Sequence, residues 1–181
     1  MSDASVVRAH VVADELFATH ASVFGSDLSI YQGHVHRVIG VVGLQLEISP
    51  DVAGALGVAA FFHDSGIWFD DTWDYLPSST RRATAALPDF DASQHLDLVT
   101  ALITEHHRIR HARHANPLVE AFRVADLADV TAGIVAPGVA REEYRALVDY
   151  YPAKGFRPML VGAFWRGLRA APLHPLPMVK L

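Results

Sequence analysis

Between Val52 and Phe62 the chain offers only apolar side chains, alanine and glycine, and the run ends on His63-Asp64. A helix that is greasy on every side has no solvent face and belongs at the centre of a fold. A carboxylate emerging from such a segment is costly unless something positive meets it. The rest of the chain must therefore bring compensating groups to the end of this run. A glycine-containing stretch, Ser65-Gly66-Ile67-Trp68, follows directly.

Helical spacing dominates elsewhere, and strand-like alternation is scarce. A first helix is expected over 5–24, stopped by Gly25. A second is expected over 30–48, where Val35, Val38, Ile39, Val42 and Leu46 recur at three- and four-residue steps. Ser49-Pro50-Asp51 reads as a helix start, with serine as cap and proline in the first turn. That third helix runs to His63. Residues 65–78 read as a structured loop rich in aromatics and acids, a candidate pocket wall. Further helices are expected over 79–87, 92–108, 117–134, 140–150 and 157–170, before a proline-rich extended tail. The glycines at 40–43 and 54–57 lie inside helical patterns, where small residues let helices approach closely. The expectation is an all-α bundle forming one domain over 1–181.

With 181 residues the chain is long enough to bury a real core. Its 51% hydrophobic and 19% charged residues describe a soluble globular protein. No stretch is long and apolar enough to span a bilayer, and the N-terminus lacks signal-peptide character. Cytoplasm is the expected location, with no membrane partner and homodimerisation left open. Cysteine is absent, so a metal here would be held by imidazole and carboxylate. The net charge of −5 argues against a nucleic-acid polymer as partner. One basic spot stands out: His106 to His114 carries three arginines and four histidines. It suits a small anionic substrate, or the basic end of a solvated helix.

The chain supplies possible co-ligands for His63 and Asp64 at a distance. They are His34 in Gln32-Gly-His-Val-His-Arg-Val38 and Asp126 in Phe122-Arg-Val-Ala-Asp-Leu-Ala-Asp129. This ordered set resembles the HD-domain metal-dependent phosphohydrolases. Their pattern is a His followed three residues on by Arg-Val, a His-Asp pair, and an Asp in an Ala-Asp-x-x-Asp helix. The resemblance covers about 31–129, leaving 140–181 as C-terminal helices and tail. It implies an HD-domain helical bundle with metal ligands His34, His63, Asp64 and Asp126. It selects His34 over His36, because Arg37-Val38 stands at the required offset. The two histidines lie about 200° apart around a helix, so they do not both face one ion. Two imidazoles and two carboxylates suit Mn, Fe, Co, Ni or Zn better than an all-oxygen magnesium site.

By the same resemblance the chain is expected to hydrolyse a small phosphate ester or nucleotide through a metal-activated water. Asp64 would ligate the ion and orient that water, with Asp64 and His106 as catalytic groups. Arg37, Arg108 and Arg110 are the candidates for binding substrate. Ile103-Thr-Glu-His106 resembles the Ile-x-x-His segment with which some family members bind a second metal or a phosphate. His95 is expected at the surface, since two residues eleven apart on a straight helix stand about 16 Å apart. His107, His111 and His114 share a helical face without a carboxylate and read as structural. Asp129 reads as holding a neighbouring helix end or supporting a ligand. The chain departs from the family after His-Asp, where Ser65-Gly66-Ile67-Trp68 has neither lysine nor a third histidine. That leaves the proton donor and any second metal open. Two alternatives stand beside the hydrolase: an HD-fold diiron oxygenase, needing two further histidines, and a non-catalytic ligand-sensing domain. Phosphate-cradling, His-Glu-x-x-His and Gly-x-Ser-x-Gly motifs are absent.

Overall fold

The helical spacing resolves into α1 (Ala4–Phe24), α2 (Leu28–Gln45), α3 (Ala53–Phe62), α4 (Gly66–Phe69), α5 (Leu76–Ala86), α6 (Leu96–Glu105), α7 (Pro117–Val130) and α8 (Arg141–Tyr150). The computed structural model describes residues 4–153 except Trp73, together with Gly155 and Pro158. No strand occurs among the described residues, and the chain is an all-α bundle. None of the described helices is long and apolar enough to cross a membrane. The helix expected over 157–170 and the tail after it fall almost entirely outside the described residues.

Helix α3 is the axis of the bundle, with every residue from Ala53 to Phe62 buried. Helices α1, α2, α5 and α6 pack around it, while α2 in turn carries α7 and α8. Its large side chains, Leu56, Phe61 and Phe62, each contribute roughly 1.5–3 kcal/mol by leaving water. Phe61 sits among Phe17, Phe24 and Tyr31 in edge-on contacts to the first two. The small residues let α1 come close: a Cβ on Gly57 would stand 2.6 Å from the Ala9 carbonyl oxygen. Gly40 and Gly43 likewise make room for Leu147 and Val6.

Several boundaries differ from expectation for local reasons. Helix α2 stops at Gln45 because Leu46 is extended, with φ −156° and ψ 156°. Helix α3 starts at Ala53 behind Val52, which supplies no side-chain cap, and the Ser49 hydroxyl bonds Asp51 instead. The segment 65–78 is not a plain loop; it holds α4 and the start of α5. Left-handed Asp91, at φ 55°, delays α6 to Leu96 behind a short 3-10 turn. Helix α6 ends at Glu105, three residues short of the expected end. Asn116 caps the start of α7, its side chain accepting from the Leu118 amide at 2.9 Å. Left-handed Ala132 and Gly133 then end α7 early, the Gly133 amide closing onto the Ala128 carbonyl at 2.7 Å.

Candidate metal centre

The end of α3 meets α2 and α7 over a small, buried volume. His34 comes from the middle of α2, His63 and Asp64 from the turn closing α3, and Asp126 from α7. All are buried, and one ligand atom from each lies within 4.8 Å of all the others. The spacing of residues 34, 63, 64 and 126 is thus converted into one constellation by three helices crossing. His36 points elsewhere, to His10 at 2.8 Å and Asp14 at 3.0 Å.

Each imidazole is aimed by a bond from its Nδ1. His63 Nδ1–H donates to the Ala60 carbonyl at 2.7 Å, one of the orphan acceptors in the last turn of α3. His34 Nδ1–H donates to Asp129 Oδ2 at 2.7 Å. Both bonds turn the Nε2 atoms inward, where they face each other at 3.0 Å. That separation is short enough for both nitrogens to reach one ion. Asp126 Oδ1 is buried with no hydrogen-bond partner, 3.4 Å from His34 Nε2. Two converging imidazole nitrogens beside an orphaned carboxylate oxygen are what a divalent cation requires. The donor set fits a transition metal.

Behind the ligands stands a buried ion pair. Arg37, 0% exposed, places Nε and Nη2 on Asp129 at 2.6 and 2.8 Å and Nη1 on the Tyr151 carbonyl at 2.9 Å. Tyr144 adds a hydroxyl donor to Asp129 at 2.9 Å. Asp129 therefore supports a ligand from behind, fixing His34 while Arg37 fixes Asp129. The expectation that Arg37 binds substrate gives way to this anchoring role, because its fork is engaged inside the protein. Arg108 is largely buried and Arg110 exposed, both on the segment after α6.

Charge explains the protonation pattern. Of three buried carboxylates, only Asp129 faces a guanidinium, while Asp64 and Asp126 face imidazoles, which take up protons to compensate. Burial alone would lower the His34 pKa, but the Asp126 and Asp129 carboxylates outweigh it and raise it to about 9. At His63 burial, with the His106 and His34 imidazoles, outweighs the Asp64 and Asp126 carboxylates and lowers the pKa to about 4. Burial favours the neutral acid at Asp64, Asp126 and Asp129, yet the histidines facing Asp64 and Asp126, and His34 with Arg37 at Asp129, turn the shift downward.

A second group surrounds the other oxygen of Asp64. His106 Nδ1–H donates to the Ile103 carbonyl at 2.7 Å, the device used by His63, and Nε2 stands 3.2 Å from Asp64 Oδ1. His107 Nε2 is 3.6 Å from Asp64 Oδ1, and its Nδ1 is 3.6 Å from Asp126 Oδ2. Asp64, His106 and His107 form a second set able to hold an ion. His107 is a correction to the reading of the sequence, which grouped it with His111 and His114. That grouping needs helical spacing carried on from 107 to 114. Because α6 stops at Glu105, the adjacent rings of His106 and His107 lie with centroids 3.9 Å apart beside Asp64. His111 and His114 each find a separate carboxylate, Glu120 at 2.9 Å and Asp97 at 3.0 Å. The doubled His106-His107 was the available signal.

Two tyrosines complete the site: Tyr31, which the sequence pattern does not single out, and Tyr75, which it places only within a candidate pocket wall. Tyr31 donates to the Phe61 carbonyl at 2.7 Å and receives the Asp64 amide at 3.3 Å, closing the turn. Tyr75 places its hydroxyl 2.6 Å from both Asp64 Oδ1 and His107 Nε2. Burial, then the Asp64 charge, push both phenols well above their ordinary value. No protein-family model, curated protein or solved structure matches this chain.

Proposed function

We propose that this chain is an HD-type metal-dependent phosphohydrolase acting on a small phosphate ester or nucleotide. One observation carries the reading: the histidine, the His-Asp pair and the distant Asp that the sequence pattern singles out converge, buried, within 4.8 Å. His34, His63, Asp64 and Asp126 would hold the ion. What a divalent ion there supplies is Lewis acidity toward phosphate oxygens and activation of a water. The chain's own residues do the rest. His34 and His63 turn Nε2 toward the ion position because Asp129 and the Ala60 carbonyl hold their other ring nitrogens, and His34 gives up its Nε2 proton when an ion binds. Asp64 divides its labour, Oδ2 facing His63 Nε2 at 3.6 Å and Oδ1 facing His106 at 3.2 Å. His106, with Nε2 beside Asp64 Oδ1, is the candidate to pass a proton to a leaving oxygen, and Arg110 remains a candidate for the approach of an anion.

A second reading, an oxygen-using dinuclear centre on the same scaffold, is favoured by the presence of both His106 and His107 beside Asp64. The test is metal content of protein purified without chelator, followed by phosphate release from a panel of phosphomonoesters and nucleotides. Activity that vanishes with the ion and in His63→Ala and Asp64→Ala, each still helical, supports the hydrolase. Full metal content and activity in both variants sinks it. Oxygen consumption without phosphate release favours the dinuclear alternative.

A further inference from the structure

Resting on the metal-centre reading, we infer that Tyr75 stands in for a second metal ion, so the centre takes one ion and His107 serves as a hydrogen-bond donor. The argument is a count of protons around one hydroxyl. Tyr75 Oη lies 2.6 Å from Asp64 Oδ1 and 2.6 Å from His107 Nε2, while those two atoms are 3.6 Å apart. A phenol has one proton to give. The 2.6 Å contact to a carboxylate oxygen has the length of a charge-assisted O–H···O bond, about 2.5–2.7 Å, so the proton points at Asp64. The phenol oxygen is then an acceptor toward His107, and a 2.6 Å contact there requires a proton on His107 Nε2. A protonated Nε2 has no lone pair for a metal.

The second ligand group thereby loses a member. Asp64 Oδ1 and His106 Nε2 remain, two donors where catalytic sites of this kind use about three from the protein. His107 Nδ1, 3.6 Å from Asp126 Oδ2, points back toward the first ion's ligands and away from the second position. The tyrosine is built in. It is 1% exposed, and its backbone is clamped against Gly66, where an added Cβ would meet Tyr75 Cβ and O at 2.9 Å. Ser79 locks the same contact, receiving the Gly66 amide on its hydroxyl at 3.1 Å and giving its own amide to the Tyr75 carbonyl at 2.8 Å. The glycine two residues after Asp64 makes the space, and the start of α5 fills it with a phenol.

The experiment is a count of ions on the full chain, stripped with chelator and titrated with Mn(II) or Zn(II). Wild type takes one ion per chain with high affinity. Tyr75→Phe frees Asp64 Oδ1 and His107 Nε2 and takes two, with paired Mn(II) ions showing magnetic coupling. Tyr75→Phe combined with His107→Ala returns to one. Two ions in wild type, or one in Tyr75→Phe, overturns the inference while leaving the metal centre standing. No ion in wild type overturns both. A long-range 1H–15N spectrum of zinc-loaded wild type tests the same point without any variant. It shows His107 protonated at Nε2 and uncoordinated; a zinc-bound Nε2 overturns the inference.

Discussion

Asp126 and Asp129 sit one helical turn apart and do different work, which a pair of variants separates. Asp126 offers a bare oxygen to the ion position, whereas both oxygens of Asp129 are spent on His34, Arg37 and Tyr144. Asp129→Asn leaves the buried Arg37 charge uncompensated, a loss of about 3–5 kcal/mol. It also costs about 10–100-fold in metal affinity by unseating His34. Asp126→Asn weakens the ion more and the ion-free fold less. Denaturant unfolding of the ion-free variants and metal titration of each check this; equal effects on both axes refute the division. A second expectation follows from protonation. Ion binding needs His34 Nε2 bare, yet His34 keeps its proton up to about 9 in the ion-free protein. Each ion bound near neutral pH therefore expels one proton, and affinity climbs about tenfold per pH unit until about 9. His63, at about 4, is already bare and adds no slope. The raised His34 value also stabilises the ion-free fold fully below the unfolded pKa, a contribution lost as pH rises through about 9. Calorimetry in buffers of different ionisation enthalpy reads the released proton; zero protons between pH 6 and 8 contradicts it. At this scale the four ligands were legible because residue type, order and local pattern agreed. Tyr75 was not, since nothing in 65–78 says which aromatic turns inward.

Among the elements, α3 carries the densest constraint, and its glycines are the reason. At Gly57 an added Cβ would stand 2.6 Å from the Ala9 carbonyl oxygen and 2.7 Å from Val12 Cβ, both on a neighbouring helix that cannot yield locally. Gly57→Ala is expected to cost about 1–3 kcal/mol by overpacking, outweighing the propensity gain of roughly 1 kcal/mol from replacing a mid-helix glycine. Because His63 and Asp64 ride on the end of this helix, metal affinity falls as well. Chemical denaturation and ion titration of the variant test both, and an alanine variant as stable as wild type would show that α1 can shift. Helix existence and type were readable from three- and four-residue apolar steps. Ends were less so, because they are set by backbone that side-chain pattern does not encode: extended Leu46, left-handed Asp91 and Ala132. The early stop of α6 at Glu105 mattered most. It converts His107 from a helix-face residue, a turn of about 100° from His106, into a neighbour of Asp64.

For the molecule as a whole, the ligands lie far apart in sequence, so an ion there would add a direct link among helices already joined by packing and by the Arg37–Asp129 pair. His34 on α2, His63 and Asp64 after α3 and Asp126 on α7 meet nowhere else. In the unfolded chain the set is dispersed, so binding to the native state is folding free energy. At an ion concentration one hundred times Kd the gain is about 2.7 kcal/mol. For a chain of this size that moves the midpoint of thermal unfolding by roughly 5–10 °C. Chelation should reverse the shift, and re-addition of Mn(II) or Zn(II) should restore it. The size of the shift should also grow with ion concentration, since mass action sets it. Replacing a ligand separates this effect from nonspecific stabilisation by salt. His63→Ala removes one donor from the end of α3 and should unfold at the same temperature with and without the ion. A chelator-insensitive wild type, or a His63→Ala variant that gains as much from the ion as wild type does, would mean the buried cluster folds as a network of protons and carboxylates and holds no metal.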